Sequence, residues 1–235
     1  MTQLDTGPIV EIPGKLSARL TIELGRHIMS TPAPGGIAPS ESQIVATYSV
    51  SRTVAREALQ ALSLYGMIDV SHGRRPRVRP RTDWDFFRPE VLAMQPDTQS
   101  IVDIITELND VRMLIEPEIA ARAAARADTH SLEVMSGLVA KMSGLHGDID
   151  AYAAVDTAFH LELAKSSNNR VLQRFMDLSD GLQQASRHLT SVIPQGLTEA
   201  TAAHRKILDA VRARDGERAR DEMIEHIRWN ARAWT

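Results

Sequence analysis

Val50–Leu62, VSRTVAREALQAL, decides the fold, because it places two arginines four residues apart on a segment whose other face is apolar. Ala55, Ala58, Leu59 and Leu62 follow the i, i+3, i+4, i+7 spacing that lines one side of a helix, and Ser51 stands ahead of them as an N-cap. Arg52 then falls in the first turn, while Thr53 and Arg56 point away from the apolar face. Gly66 stops the helix, which runs to about Tyr65.

Upstream, Leu16, Leu20, Leu24 and Ile28 recur every fourth position, so Lys15 to Met29 reads as a first helix. STPAPGG at 30–36 is a breaker cluster, and the Ser40/Gln43 spacing in PSESQIVATY is a capping box that opens a short second helix. Downstream the period changes. MIDV at 67–70 and RVR at 77–79 flank SHGRRP, which predicts two short strands around a turn. Three helices followed by a hairpin predict a winged helix-turn-helix with Val50–Leu62 in the recognition helix.

Guanidinium groups at 52 and 56 suit guanine O6/N7 or phosphate, and the helix N-terminus adds attraction for phosphate. His72, Gly73, Arg74 and Arg75 stand at the hairpin tip, and five arginines between 74 and 81 suit a wing lying along or in a minor groove. Two arginines on a helix alone are ordinary surface charge. Their agreement with two capped helices and a basic hairpin points to double-stranded DNA.

The 235 residues with 43% hydrophobic content are enough for two domains. No apolar run reaches the length of a membrane span and the amino terminus lacks a signal-peptide pattern, so a cytoplasmic protein that does not engage membranes is expected. The absence of cysteine excludes disulfides, thiolate catalysis and Cys-based zinc sites, leaving His, Asp and Glu as metal ligands. Residues 1–81 hold 10 Lys+Arg against 6 Asp+Glu, and the remainder 17 against 24, so a basic front precedes an acidic back. After a proline-punctuated connection, RPRTDWDFFRPEVLAMQPD, the pattern from about Ser100 is helical, with breaks at HGD, SSNN, IPQG and RDG. The expected organisation is a mainly α chain: a DNA-binding domain at 1–81, a linker at 82–99 and an all-α bundle at 100–235.

Within DTAFH, Asp156 and His160 are i, i+4 on one helix face beside Val155, Phe159 and Leu163. His204 in ATAAHRKILDAV and His226 in DEMIEHIRWN each sit beside apolar residues that turn them inward. Four nitrogen and oxygen donors on three helices could converge on one divalent ion. With eight histidines in the chain, hydrogen-bonded core residues are the plainer alternative for any one of them. Arg112 and Glu116 form an i, i+4 pair that by itself reads as an exposed salt bridge.

PSESQIVATYSVSRTVAREALQALSLYGMIDV resembles the winged helix-turn-helix of the GntR superfamily of bacterial transcription regulators, over about residues 15 to 80. The resemblance implies that Ser51, Arg52, Thr53 and Arg56 contact the operator, that Glu41 starts the second helix, and that His72 and Gly73 lie at the wing tip. ELNDVRMLIEPEIAARAAARA, DTAFHLELAKSSNN and the two later histidines are similar to the FadR C-terminal (FCD) subgroup, over about residues 100 to 230. That likeness implies a divalent metal on Asp156, His160, His204 and His226, and an arginine, Arg112, within reach of a small carboxylate effector. It is nearest to members that respond to sugar acids; a hydroxy acid is the related alternative. Three imidazoles and a carboxylate suit zinc, nickel or manganese. The expected protein is a homodimeric repressor on a palindromic operator, since one recognition helix covers one half-site. Two rivals are a metal-sensing regulator without an organic effector and a metal-dependent hydrolase. The second lacks an HExxH motif and a phosphate-cradling glycine loop.

Overall fold

The structure, a computed structural model, describes residues 15–30, 35–71, 73–191 and 196–232, with only the backbone described for 187–191. The chain divides into two compact units, Met1–Ile101 and Val102–Thr235.

In the first unit, α1 (Leu16–Ser30), α2 (Glu41–Tyr48) and α3 (Arg52–Leu64) pack around one core. Leu20, Leu24 and Ile28 from α1 meet Ile44 from α2 and Ala55, Ala58, Leu59 and Leu62 from α3, so the spacing read in the sequence is the buried stripe except at Leu16, which starts α1 and is 57% exposed. The capping box is formed: the Ser40 hydroxyl accepts from Gln43 N–H, and Gln43 Oε1 accepts from Ser40 N–H at 3.0 Å. Ser51 Oγ caps α3 by accepting from Val54 N–H at 3.3 Å. Gly66, at φ 72°, ends it, as Gly66 N–H donates to Ser63 O (3.1 Å) and Met67 N–H to Leu62 O (3.0 Å).

The wing is β1 (Ile68–Asp69) paired antiparallel with β2 (Arg77–Val78), Ile68 opposite Val78 and Asp69 opposite Arg77. The sequence reading treated 30–36 as a breaker, yet the end of that stretch is used structurally. Gly35 N–H donates to Val78 O, Val78 N–H to Gly36 O and Ala38 N–H to Pro76 O at 2.8–2.9 Å, so 35–38 runs beside β2. A 3-10 turn (Arg81–Asp83) and α4 (Pro89–Ala93) follow. Trp84, Val91 and Met94 enter the first core, and Arg26 of α1 donates through Nε and Nη2 to Ala93 O at 3.3 and 3.0 Å. Gly25 of α1 leaves room for this, since a Cβ there would lie 2.2 Å from Met94 Sδ.

The second unit is helical: α5 (Thr98–Arg126), α6 (Thr129–Met142), α7 (Ile149–Ser166), α8 (Arg170–Ser191), α9 (Gly196–Arg212) and α10 (Gly216–Ala231). Asp128, Asp148 and Asp215 cap α6, α7 and α10 by accepting from Ser131, Ala151 and Arg218 N–H. Ile119, Ala123, Met135, Phe159, Ile207, Val211, Met223 and Ile227 belong to its core. Among the described residues, no helix is long and apolar enough to cross a membrane.

Candidate metal centre and nucleic-acid interface

Asp156 and His160 on α7, His204 on α9 and His226 on α10 are all buried. Each of the three imidazoles offers a nitrogen within 4.8 Å of the others', a cluster that could hold a metal ion. His204 Nε2 is 3.2 Å from His160 Nε2 and 3.1 Å from Asp156 Oδ1; His160 Nε2 is 3.8 Å from Asp156 Oδ2. His204 Nδ1 faces Ala200 O at 2.7 Å and His160 Nδ1 faces Glu116 Oε2 at 3.0 Å, so each Nδ1 carries a proton and donates it. Where both rings are neutral, their Nε2 atoms face one another and an Asp156 oxygen as acceptors, an arrangement that a cation among them would stabilise. His226 Nδ1 is buried without a hydrogen-bond partner, and Nε2 is 3.3 Å from Asn230 Nδ2. Phe159, fully buried, sets its edge against His160 and His204 at centroid distances of 5.9 and 4.9 Å and walls the cluster from water.

The electrostatics favour neutral His160 and His226. Burial pushes the pKa of His160 down, with Glu116 partly opposing it. Burial, reinforced by His204 and His160, takes His226 well below the ordinary histidine range. For Glu116, burial disfavours ionisation, but Arg112 and His160 outweigh it and hold the carboxyl well below the usual range. Arg112 is likewise opposed by burial and raised by Glu116.

Arg112 and Glu116 correct one of the readings left open by the sequence: the pair is buried, with side chains 4% and 1% exposed, and is no surface bridge. Arg112 Nε donates to Glu116 Oε1 at 2.6 Å and Nη2 to Oε2 at 3.3 Å, with Nη1 3.4 Å from Asn109 Oδ1. Arg112 also borders a cavity of about 20 Å³, whose other described lining residues are Tyr152, Asp156, Ser186, Leu197, Ala200 and Asn230. The Tyr152 hydroxyl bonds Leu197 O at 3.2 Å and Thr201 Oγ1 at 3.1 Å.

On the first unit, Arg52, Thr53 and Arg56 lie exposed on the side of α3 opposite its core face. The Ser51 hydroxyl is engaged as the cap. Glu41, in the first turn of α2, accepts from Arg56 Nε at 3.3 Å, which makes it a residue that aims Arg56. Gly73, with φ 73°, and Arg74 and Arg75 are exposed between the wing strands; His72 lies outside the described residues.

Sequence reasoning thus named the residues that converge on α7, α9 and α10, but it missed Glu116 as the partner of His160. It also passed over Tyr152 and Asn230, although each sits one helical turn from a proposed ligand, Asp156 and His226. That i, i+4 relation was the available signal.

A basic winged helix-turn-helix followed by a separate helical unit is the arrangement of a DNA-binding transcription regulator. The gntR family of bacterial regulatory proteins matches residues 16–78 and the FCD domain matches residues 107–228. The chain belongs to this family of transcription regulators, which are not enzymes. It is 28% identical over 215 residues, 89% of this chain and 92% of the relative, to the galactonate operon transcriptional repressor of Escherichia coli (strain K12). It is 29% identical over 197 residues, 80% of this chain and 74% of the relative, to a putative L-lactate dehydrogenase operon regulatory protein of the same strain. The solved structure of Streptococcus agalactiae GntR superposes with a TM-score of 0.50 at 25% identity, covering 92% of this chain and 100% of that one.

Proposed function

We propose that the protein is a cytoplasmic, homodimeric repressor whose helical unit holds a divalent metal and a small organic acid, and whose winged unit reads a palindromic operator. Arg52, Thr53 and Arg56 make the base and phosphate contacts from α3, with Ser51 at its N-terminus and Glu41 aiming Arg56. Gly73, Arg74 and Arg75 on the wing, and His72 by the family resemblance, add attraction for the backbone. One α3 per chain covers one half-site, hence two chains on a two-fold operator. In domain terms, 1–81 binds DNA, 82–99 leads on from it with Trp84, Val91 and Met94 packed in the first core, and 100–235 binds metal and effector and dimerises.

The metal reading is supported by one observation: His204 Nε2 stands 3.2 Å from His160 Nε2 and 3.1 Å from Asp156 Oδ1, with His160 Nε2 3.8 Å from Asp156 Oδ2, while both Nδ1 atoms face other acceptors. Asp156, His160, His204 and His226 would hold the ion, and the donor set suits zinc, nickel or manganese. Such an ion supplies Lewis-acid attraction for a carboxylate. The Nη end of the Arg112 fork, whose present contacts to Asn109 Oδ1 (3.4 Å) and Glu116 Oε2 (3.3 Å) are longer than the Nε contact to Glu116 Oε1 (2.6 Å), would meet that carboxylate. Tyr152, Ser186 and Asn230 offer hydroxyl and amide groups to a polyhydroxy chain, and the galactonate and lactate operons of the relatives fit a sugar acid or hydroxy acid.

A second reading has its own support. The cavity has room for little more than a water molecule, which suits a metal sensor with no organic ligand. One experiment separates the two. Metal content is measured by elemental analysis on protein purified without chelator, and operator binding is then titrated by mobility shift with galactonate, L-lactate or chelator. Response to an acid only in the metal-loaded protein supports the effector reading, and response to chelator alone supports the sensor. A protein that holds no metal and takes none up overturns both.

A further inference from the structure

Glu116 touches both halves of the helical site. Its Oε1 accepts from Arg112 Nε, and its Oε2 is shared between Arg112 Nη2 at 3.3 Å and His160 Nδ1 at 3.0 Å. Arg112 borders the cavity, and His160 belongs to the imidazole cluster. We propose that Glu116 is a positioning residue that fixes the ligand nitrogen of His160 and links the cavity to the cluster through Arg112. The link rests on the reading that a cation and a carboxylate bind there.

The chemistry runs in two steps. A carboxylate acceptor on Nδ1 locks the His160 tautomer with its lone pair on Nε2 and makes that nitrogen a better donor to a cation. The strength of the acceptor depends on how much of Glu116 is spent on Arg112. A ligand carboxylate at the Nη end of the Arg112 fork shares the guanidinium between two anions and loosens the longer Nη2 contact to Oε2. His160 then has more of that oxygen, and its Nε2 becomes more basic. Ligand in the cavity therefore tightens cation binding, and by thermodynamic reciprocity the cation tightens ligand binding by the same factor. A ligand that merely bridged to the ion would give linkage independent of Glu116, so Glu116 variants separate the two routes.

The test uses full-length protein with Co(II) as probe, its affinity read by competition with a chromophoric chelator and its site by the visible d–d spectrum. Glu116→Gln keeps the shape and removes the charge; its Co(II) Kd should rise about 10- to 100-fold with an altered spectrum. Galactonate should tighten Co(II) binding to the wild type about fivefold or more, and to Glu116→Gln by about twofold or less. Glu116→Gln with wild-type Kd and spectrum overturns the positioning role, and an unchanged galactonate factor overturns the link. A wild type that takes up no Co(II) refutes the metal reading itself. One that takes up Co(II) and ignores galactonate and L-lactate refutes the link, while the Glu116→Gln affinity still decides the positioning role. Should Glu116→Gln fail to fold in chelator by circular dichroism, Glu116→Asp, which keeps the charge on a shorter arm, is read the same way, with an intermediate Kd expected and a wild-type Kd and spectrum again fatal.

Discussion

Arg56 is the clearest single residue on the proposed DNA face, because it is exposed yet aimed by Glu41 at 3.3 Å. If it makes a bidentate base contact, Arg56→Ala weakens specific operator binding by about 1–3 kcal/mol. Glu41→Ala leaves the guanidinium present but unaimed, so its loss should be smaller, and a mobility-shift titration in which the two variants rank the other way contradicts the arrangement. The buried histidines make a separate prediction about acid. His160 and His226 have folded-state pKa values pushed below the ordinary one by burial, so as pH falls through the ordinary histidine range of about 6.5 the unfolded chain binds protons that the folded chain refuses. Stability is full above that range and is lost below it. Glu116 acts in the same direction lower down, since its folded pKa is depressed and its contribution is lost as pH falls below the unfolded carboxyl value of about 4.5. In chelator, the melting temperature of the helical unit should therefore fall between about pH 7.5 and 5.5. A flat or rising profile contradicts the neutral-imidazole assignment.

Local elements were the most legible part of the chain. Ser40, Gln43, Ser51 and Gly66 act through neighbours within a few residues, so their roles can be read from spacing alone. The pairing of 35–38 with β2 could not be read so, because it joins residues some forty positions apart through backbone atoms that every residue carries. Gly66 gives this scale its sharpest test. It sits at φ 72°, and a Cβ would meet Asp83 O at 2.1 Å, so both backbone strain and overlap oppose any side chain. Gly66→Ala should destabilise the first unit by more than about 1 kcal/mol in denaturant titration, and a neutral result would mean the Schellman ending is not kept. The wing is testable as an element too. Neutralising Arg74 and Arg75 together should lower affinity for operator and random DNA alike and flatten the salt dependence, as fewer counterions are released. Lost discrimination with an unchanged salt slope would contradict that role.

At the scale of the whole molecule, the sequence separates a basic front, 1–81, from an acidic back, whereas the structure divides into two compact units at Ile101/Val102, because Trp84, Val91 and Met94 pack into the first core. The candidate centre was legible only in part. The Asp156–His160 spacing marks one face of α7, but nothing in local spacing says that α9 and α10 bring His204 and His226 to it; the family resemblance carried that step. Glu116 stayed hidden because its partner is His160, on another helix, and an i, i+4 pair with Arg112 looks the same buried or exposed. Two units with separate cores should also respond separately. Chelation should lower the melting of the helical unit and leave the winged unit unchanged in calorimetry, since only one of them contains the donors. A uniform shift of a single transition would contradict this.

The position of the donors along the chain has a topological consequence. His160 and His204 are 44 residues apart, and His226 lies further on, so an ion gripping all three would close successive loops in a chain that has no cysteine to do so. By the loop-entropy argument used for disulfides, closing a loop of that length restricts the unfolded ensemble by about 4 kcal/mol where the link survives unfolding. A metal link also opens as its ligands take up protons, so this tether is reversible where a disulfide is not. The helical unit would then be stapled or unstapled by the availability of its ion, with α7, α9 and α10 as the strands of the staple.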